Sequence, residues 1–299
     1  MQTTKKQVAI LTPAYNRAYI LPELYKSLMR QTSFAFCWYI VDDGSSDDTE
    51  AVCKTFKNNQ FDVVYLKKEN GGKHTALNVG VDVIQEELTF IVDSDDHLTD
   101  DAVETIISDW EKYQNQKDVA GLSYYRLHHD GKIVGEGYNK EAFVDSYVNV
   151  RINQNVQGDK AEVYRTEVLK SHPFPVFEGE KFLSEAVVWN AISRDGYKLA
   201  FIPKGIYKCE YIADGLTQAG RKKVLTNPYG YLEHAKSHLY REVKQKIQWK
   251  YVLMYVAVAK LGKIPMRKAY KACPRKGKFI IAFLFGVALG IYWKKKYSK

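Results

Sequence analysis

Cysteine is scarce in this chain, and acidic residues almost vanish from one end of it. The 299 residues include four cysteines, Cys37, Cys53, Cys209 and Cys273, with no CxxC and no ligand-like spacing among them. That excludes a disulfide framework or a zinc ribbon, and the thiols are expected to be reduced and mostly buried. No GxGxxG follows the first apolar run and no GxxxxGK[ST] occurs, so neither a dinucleotide fingerprint nor a Walker loop is present. The first apolar run, Val8–Leu11, is too short for a signal peptide, which places the N-terminal body in the cytoplasm as an expectation. No apolar run reaches the roughly 20 residues of a membrane-spanning helix. Low-complexity tracts and internal repeats are also missing.

Residues 220–299 carry 20 Lys+Arg against only two acids, Glu233 and Glu242. With a net charge of +9 for the whole chain, that segment is +18 and residues 1–219 are −9. An acidic body and a basic tail imply two environments, and the tail's partner should be anionic, either lipid headgroups or nucleic acid.

What is present fits a buried core rather than disorder: 45% hydrophobic and 26% charged residues. Over the first hundred residues, strand-like and helix-like patterns alternate. Strands are expected at 7–12, 37–42, 63–66 and 88–93, and helices at 19–30, 46–57 and 73–86. A further helix is expected after Thr99, capped by it, with Asp100 and Asp101 in its first turn, and a further strand over 119–126. Continuous apolar strands separated by helices imply an α/β fold with a mostly parallel, doubly wound sheet. In such sheets ligands bind beyond the C-terminal strand ends.

Each of those ends carries a polar cluster. TPAYNR (12–17) puts Pro13 at the end of a strand and offers the flat ring of Tyr15 for stacking a base, although an ordinary turn uses the same residues. VDDGSSDDT (41–49) places carboxylates where a base imide or ribose hydroxyl could donate to them, with Ser45 or Ser46 available to cap a helix. ENGGKHTALNVG (69–80) has two glycines that permit close backbone approach and a lysine, Lys73, suited to phosphate. IVDSDDH (91–97) packs three carboxylates into four residues, and their mutual repulsion calls for a cation, with oxygen ligands favouring Mg²⁺ or Mn²⁺.

These four motifs, VAILTPAYNR, IVDDGSSDDT, NGGKHTALNVG and IVDSDDH in that order, resemble the family 2 glycosyltransferases of the GT-A fold over residues 7–220. The branch they resemble builds bacterial cell-surface polysaccharides. The resemblance implies a metal-dependent, inverting hexosyltransferase using a UDP-sugar. By position it implies that Pro13 and Tyr15 line the nucleoside site, that Asp43 reads the uracil imide, and that Lys73 lies near the base or diphosphate. Asp95 would contact ribose or metal, and Asp96 would ligate the metal. The family's late-helix acidic pair maps onto FLSEAVVWNAISRDGYK (182–198), where Ser184 and Glu185 replace the usual Glu-Asp. Glu185 is then the implied general base, with Glu178 and Glu180 as rivals.

The resemblance and the charge shift divide the chain into a catalytic domain over 1–220 and a basic, helical, membrane-associating region over 221–299. The catalytic domain comprises a nucleotide-sugar half over about 1–125 and an acceptor half over about 126–220. Acceptor residues are expected within 125–180 and 205–225, with EYIADGLTQ (210–218) as a loop near the site.

In the tail, FIIAFLFGVALGIYW (279–293) is flanked by lysines on both sides, which favours a re-entrant or monotopic insertion at the cytoplasmic membrane face, with a single span as the alternative. Gly286 and Gly290 form a GxxxG that hints at helix packing. WKYVLMYVAVAKLG (249–262) could lie in the membrane interface or pack in a helical hairpin. The implied partners are a UDP-sugar, a polyprenyl-diphosphate-linked saccharide acceptor and an anionic membrane surface. Self-association into a homo-oligomer is compatible with this reading, and a nucleic-acid partner is not expected. The rival readings are a non-catalytic nucleotide-sugar-binding module of the same fold, a nucleic-acid-binding protein, and a nicotinamide-dependent dehydrogenase.

Overall fold

The computed structural model describes residues 6–138, 140–209 and 223–297, so the 210–218 loop lies outside the described residues. Two compact units divide the chain: residues 1–146, 156–173 and 196–212 form the first, and 147–155, 174–195 and 213–299 the second.

The first unit is built on a nine-stranded mixed sheet. Its strands are β1 (Val8–Ala14), β2 (Phe36–Asp42), β3 (Asp62–Lys67), β4 (Leu88–Ile91), β5 (His97–Leu98), β6 (Val119–Leu127), β7 (Phe143–Asp145), β8 (Lys160–Arg165) and β9 (Lys198–Lys208). Helices α1 (Leu21–Met29), α2 (Thr49–Cys53), α3 (Lys73–Val83) and α4 (Ala102–Tyr113) alternate with the early strands, and α5 (Thr166–Ser171) follows β8. The order across the sheet is β3-β2-β1-β4-β8-β6-β9-β5, with β7 paired to β9. The first four strands are parallel, whereas β8 runs antiparallel to both of its neighbours. The expected α/β class therefore holds, with β8 inserted antiparallel near the middle and the short β5 and β7 antiparallel to β9.

Apolar continuity explains the parallel half. Val8, Ile10, Leu11, Phe36, Trp38, Ile40, Leu88 and Phe90 are all fully buried, as strands covered on both faces must be. Trp38 satisfies its indole N–H by donating to Thr12 Oγ1 at 3.0 Å. Helix α3 lies close on β1, because a Cβ at Gly80 would come within 2.3 Å of Leu11 Cδ1.

Pro13 does not end β1 as expected. The strand continues to Ala14, with Pro13 opposite Val41. The partner on the other side, β4, pairs only as far as Ile91 opposite Leu11, so beyond that point β1 is an edge where a missing N–H is tolerated.

The second unit contains a π-helical turn (Val148–Asn153) and helices α6 (Ala186–Arg194), α7 (Lys223–Thr226), α8 (Pro228–Ser237), α9 (Gln245–Leu261), α10 (Met266–Ala272) and α11 (Lys276–Tyr297). Helix α9 is its centre. Val252 and Tyr255–Ala259 are at most 1% exposed, under α8, α10 and α11. The 249–262 segment is thus core and not an interfacial helix, its lysines falling on the outward side.

Candidate active site

Register brings the motif loops of the first unit together. Ala14, Asp42 and Lys67 are paired across β1, β2 and β3, and Leu11 faces Ile91 on β4. The loops TPAYNR, DDGSSDDT, KKENGG and DSDD therefore all leave the same sheet edge.

The first two loops are sewn to each other. The Asn16 N–H donates to Ser45 Oγ (2.8 Å), the Arg17 N–H to Thr49 Oγ1 (2.9 Å) and the Ala18 N–H to Asp47 Oδ2 (3.1 Å). In return the Ser46 N–H donates to Asn16 Oδ1 at 2.9 Å. The serines expected to cap a helix are used here instead, and α2 starts later, at Thr49. Pro13 is buried in its strand, while the Tyr15 ring stands 47% exposed at the edge.

Both members of the acidic pair are buried and engaged. Asp42 accepts the Ser45 N–H (2.7 Å) and the Tyr65 hydroxyl (2.6 Å). Asp43 accepts four donors: Lys68 Nζ (2.7 Å) and the Gly71 N–H (2.9 Å) at Oδ1, and the Gly72 N–H (2.7 Å) and Asn70 Nδ2 (3.1 Å) at Oδ2. A carboxylate has about four acceptor positions, so Asp43 is saturated. The glycine pair wraps this carboxylate at the head of α3, and Gly72 reaches the required φ of 93° because it has no Cβ. One of these four donors, Lys68, is a residue that sequence reasoning did not single out.

The DSDD turn carries a second network. Lys73 Nζ lies 2.5 Å from Asp93 Oδ1. Arg126, at the end of β6, places Nη1 3.6 Å from both Asp93 Oδ2 and Asp96 Oδ2. The Tyr207 hydroxyl, from β9, donates to Asp96 Oδ2 (2.7 Å) and accepts the Asp93 N–H (3.0 Å). Burial raises the Asp93 pKa, but Lys73 and Arg126 outweigh it and hold the group below the usual range. Burial and the charge of Asp93 instead raise the Asp95 pKa. Burial keeps the Tyr207 hydroxyl protonated and able to donate.

The metal question turns on this donor set. Among the described residues no three His, Cys, Asp or Glu side chains converge as a ready-made cage. Asp95 and Asp96 nonetheless offer hard carboxylate oxygens, and burial with the charge of Asp93 raises the Asp95 pKa despite Arg17 and Lys73 nearby. Mg²⁺ is commonly held by one or two carboxylates with water and substrate phosphates completing the shell. The residues fit an ion held in that shared manner.

Glu185 belongs to the second unit. It occupies the N-cap position of α6, where its carbonyl accepts the Val188 N–H (2.9 Å) and the dipole favours its charge. Its rival Glu180 is committed elsewhere, accepting the Tyr229 and Gly230 N–H groups at 2.7 Å each at the head of α8. Glu178 is exposed.

The sequence model described as glycosyl transferase family 2 matches residues 9–164, more than half of the chain. The chain belongs to that family. Family relatives include glycosyltransferase GlyA of Streptococcus pneumoniae, 29% identical over 55% of this chain and 23% of its own length. GlyG of the same organism is 32% identical over 40% of this chain and 39% of its own length. The chain thus spans well under half of these two relatives. A Campylobacter jejuni relative, the GalNAc(5)-diNAcBac-PP-undecaprenol beta-1,3-glucosyltransferase, is 24% identical over 77% of this chain and 73% of its own length. Among solved structures, Staphylococcus aureus TarS 1-349 with UDP-GlcNAc aligns with a TM-score of 0.67 at 15% identity, covering 97% of this chain and 92% of that one. The mannosyltransferase PcManGT of Pyrobaculum calidifontis, with GDP-Man and Mn²⁺, aligns at 0.59 and 16% identity, covering 98% and 89%. The fold of this family 2 chain is accordingly GT-A.

Proposed function

We propose that this family 2 chain transfers a hexose from a UDP-sugar to a saccharide acceptor, with inversion, in cell-surface polysaccharide synthesis. The observation that carries the reading is the DSDD turn at the shared sheet edge, where Asp95 and Asp96 supply carboxylates next to Asp93 and its Lys73 partner. The UDP-GlcNAc complex of TarS supports the UDP-sugar donor, and the PcManGT complex with GDP-Man and Mn²⁺ supports a sugar nucleotide used together with a metal. The name of the Campylobacter relative supports a polyprenyl-diphosphate-linked acceptor. The proposed location is the cytoplasmic face of the membrane, where such an acceptor resides.

In this reading Tyr15 stacks on the base beside Pro13, Asp43 accepts the imide in exchange for Lys68, and Asp95 meets the ribose or shares the metal with Asp96. Mn²⁺ or Mg²⁺, when bound, neutralises the diphosphate and improves it as a leaving group. Glu185 takes the proton of an acceptor hydroxyl as that oxygen bonds to the anomeric carbon and the bond to the diphosphate oxygen breaks. A single displacement inverts the centre.

The test is a panel of UDP-sugars assayed for UDP release, with and without Mn²⁺, using membrane lipid extract as acceptor. Metal-stimulated release with one sugar is expected. UDP binding with no release for any sugar would instead favour a non-catalytic binding module.

A further inference from the structure

Helix α11 has two faces with opposite surroundings. Phe279, Ala282, Gly286, Gly290 and Trp293 are buried. A Cβ at Gly286 would lie 2.6 Å from Val256 Cβ, and one at Gly290 would lie 2.7 Å from the Ala257 carbonyl oxygen. The GxxxG is therefore used inside the chain, seating α11 on α9. On the other side Ile280, Ile281, Leu284, Phe285, Ile291 and Tyr292 are 45–76% exposed. At 3.6 residues per turn these six positions form one stripe about 140° wide. Contiguous exposed apolar surface of this kind marks a binding face.

Charge selects the occupant. From Val243 to Lys299 the chain contains no Asp or Glu and 15 Lys+Arg. Exposed Lys276 stands at one end of the stripe and exposed Lys294, Lys295 and Lys296 at the other. An apolar stripe closed at both ends by lysines suits acyl chains bordered by anionic headgroups.

The same packing argues against a crossing. α11 is long and apolar enough to span by length and composition. Crossing would either strip it from α9, exposing both glycines and Val256, or carry Lys250 and Lys260 of α9 into hydrocarbon, where lysine is costly.

We propose that α11 lies flat in the surface of an anionic phospholipid bilayer, with the stripe from Ile280 to Tyr292 in the acyl layer. This deepens the membrane location proposed above but needs neither donor nor acceptor.

The test is flotation of the full chain with vesicles of phosphatidylglycerol and phosphatidylcholine, against phosphatidylcholine alone, without nucleotide. Binding to the anionic vesicles is expected, reduced at least tenfold in the Leu284→Glu/Phe285→Glu double variant. Those side chains are 76% and 75% exposed, so the variant should keep its melting temperature and its UDP release. Single-cysteine spin labels at 281, 288 and 292 should report one common depth, and the four native cysteines are buried. A deep centre with shallow ends would mean a span and overturn the proposal. So would absent or charge-independent flotation, retention on DNA in place of vesicles, or a dimer dissolved by the double variant. Flotation without UDP release would leave this proposal standing and sink only the transfer reading.

Discussion

The Tyr207 hydroxyl donates to Asp96 at 2.7 Å while accepting the Asp93 N–H at 3.0 Å, so one phenol fastens both ends of the acidic turn. Arg126 lies over the same ring, 4.2 Å from its centroid, and reaches both carboxylates. The repulsion among Asp93, Asp95 and Asp96 is thus relieved in part by cations belonging to the chain. Arg126→Met removes one of them and leaves the buried Asp96 and the half-buried Asp93 less compensated. A loss of about 3 kcal/mol is expected in urea unfolding. Saturating Mn²⁺ should restore stability more in the variant than in the wild type. An unchanged unfolding midpoint would show that the guanidinium does not balance the turn.

In the proposed mechanism Glu185 is the base, whereas Glu180 is committed to two backbone N–H groups at the head of α8. Glu185→Gln keeps the shape and loses the base, so UDP affinity should hold while transfer drops by about 10²–10⁴-fold. Glu180→Gln weakens two contacts at the head of α8 and should cost about 1–2 kcal/mol with turnover per folded molecule retained. Paired unfolding curves and rates would detect the opposite pattern, which would move the base to Glu180.

Much of the fold was legible because the early strands are continuous apolar runs. β1 to β4, β6 and the helices between them lie where the pattern placed them, with ends shifted by a few residues. The caps were not legible. Thr99 bonds Asp101 Oδ1 instead of capping α4, which begins at Ala102 with both aspartates ahead of it. Ser45 and Ser46 meet Asn16, about 30 residues away in sequence, because the loops pack on each other. The site was half visible: the clusters announced themselves as local motifs on neighbouring parallel strands. Arg126 and Tyr207 come from β6 and β9, where nothing local distinguishes an arginine or tyrosine from its neighbours. The charge argument at DSDD pointed to a divalent cation, and it could not see that Lys73 and Arg126 of the chain itself lie against these carboxylates.

Gly121 is a position whose importance only the three-dimensional packing reveals. A Cβ there would sit 1.9 Å from the Val163 carbonyl oxygen, between β6 and β8. Backbone cannot yield as a flexible side chain does, so Gly121→Ala should cost about 3 kcal/mol or more. Because β6 also carries Arg126, UDP affinity should fall with it. Calorimetry showing a melting temperature within a degree of wild type would contradict the close strand approach.

His238 gives the second unit an acid limit. Its ring is 1% exposed, stacks on Tyr251 with centroids 3.7 Å apart, and makes a 2.9 Å hydrogen bond to the His234 carbonyl through Nδ1. Burial, with His234 and Lys250 adding to it, pushes its pKa down to about 3, and burial pushes His234 down to about 4. Both rings are neutral when folded and titrate near 6.5 when unfolded. The unfolded chain therefore binds more protons below that pH. The stabilisation is complete above about pH 6.5 and is lost as pH falls to about 4 for His234 and about 3 for His238, at about 1.4 kcal/mol per pH unit for each histidine. Carboxylates hardly titrate between pH 6.5 and 5, so a decline in melting temperature over that interval reports histidines. His74, buried on α3 and shifted the same way, contributes from the first unit. His238→Phe keeps an aromatic ring on Tyr251 and removes one titration, so it should flatten the pH 6.5 to 5 slope relative to wild type. An equal slope in the two proteins would mean that His238 is not held neutral by the fold.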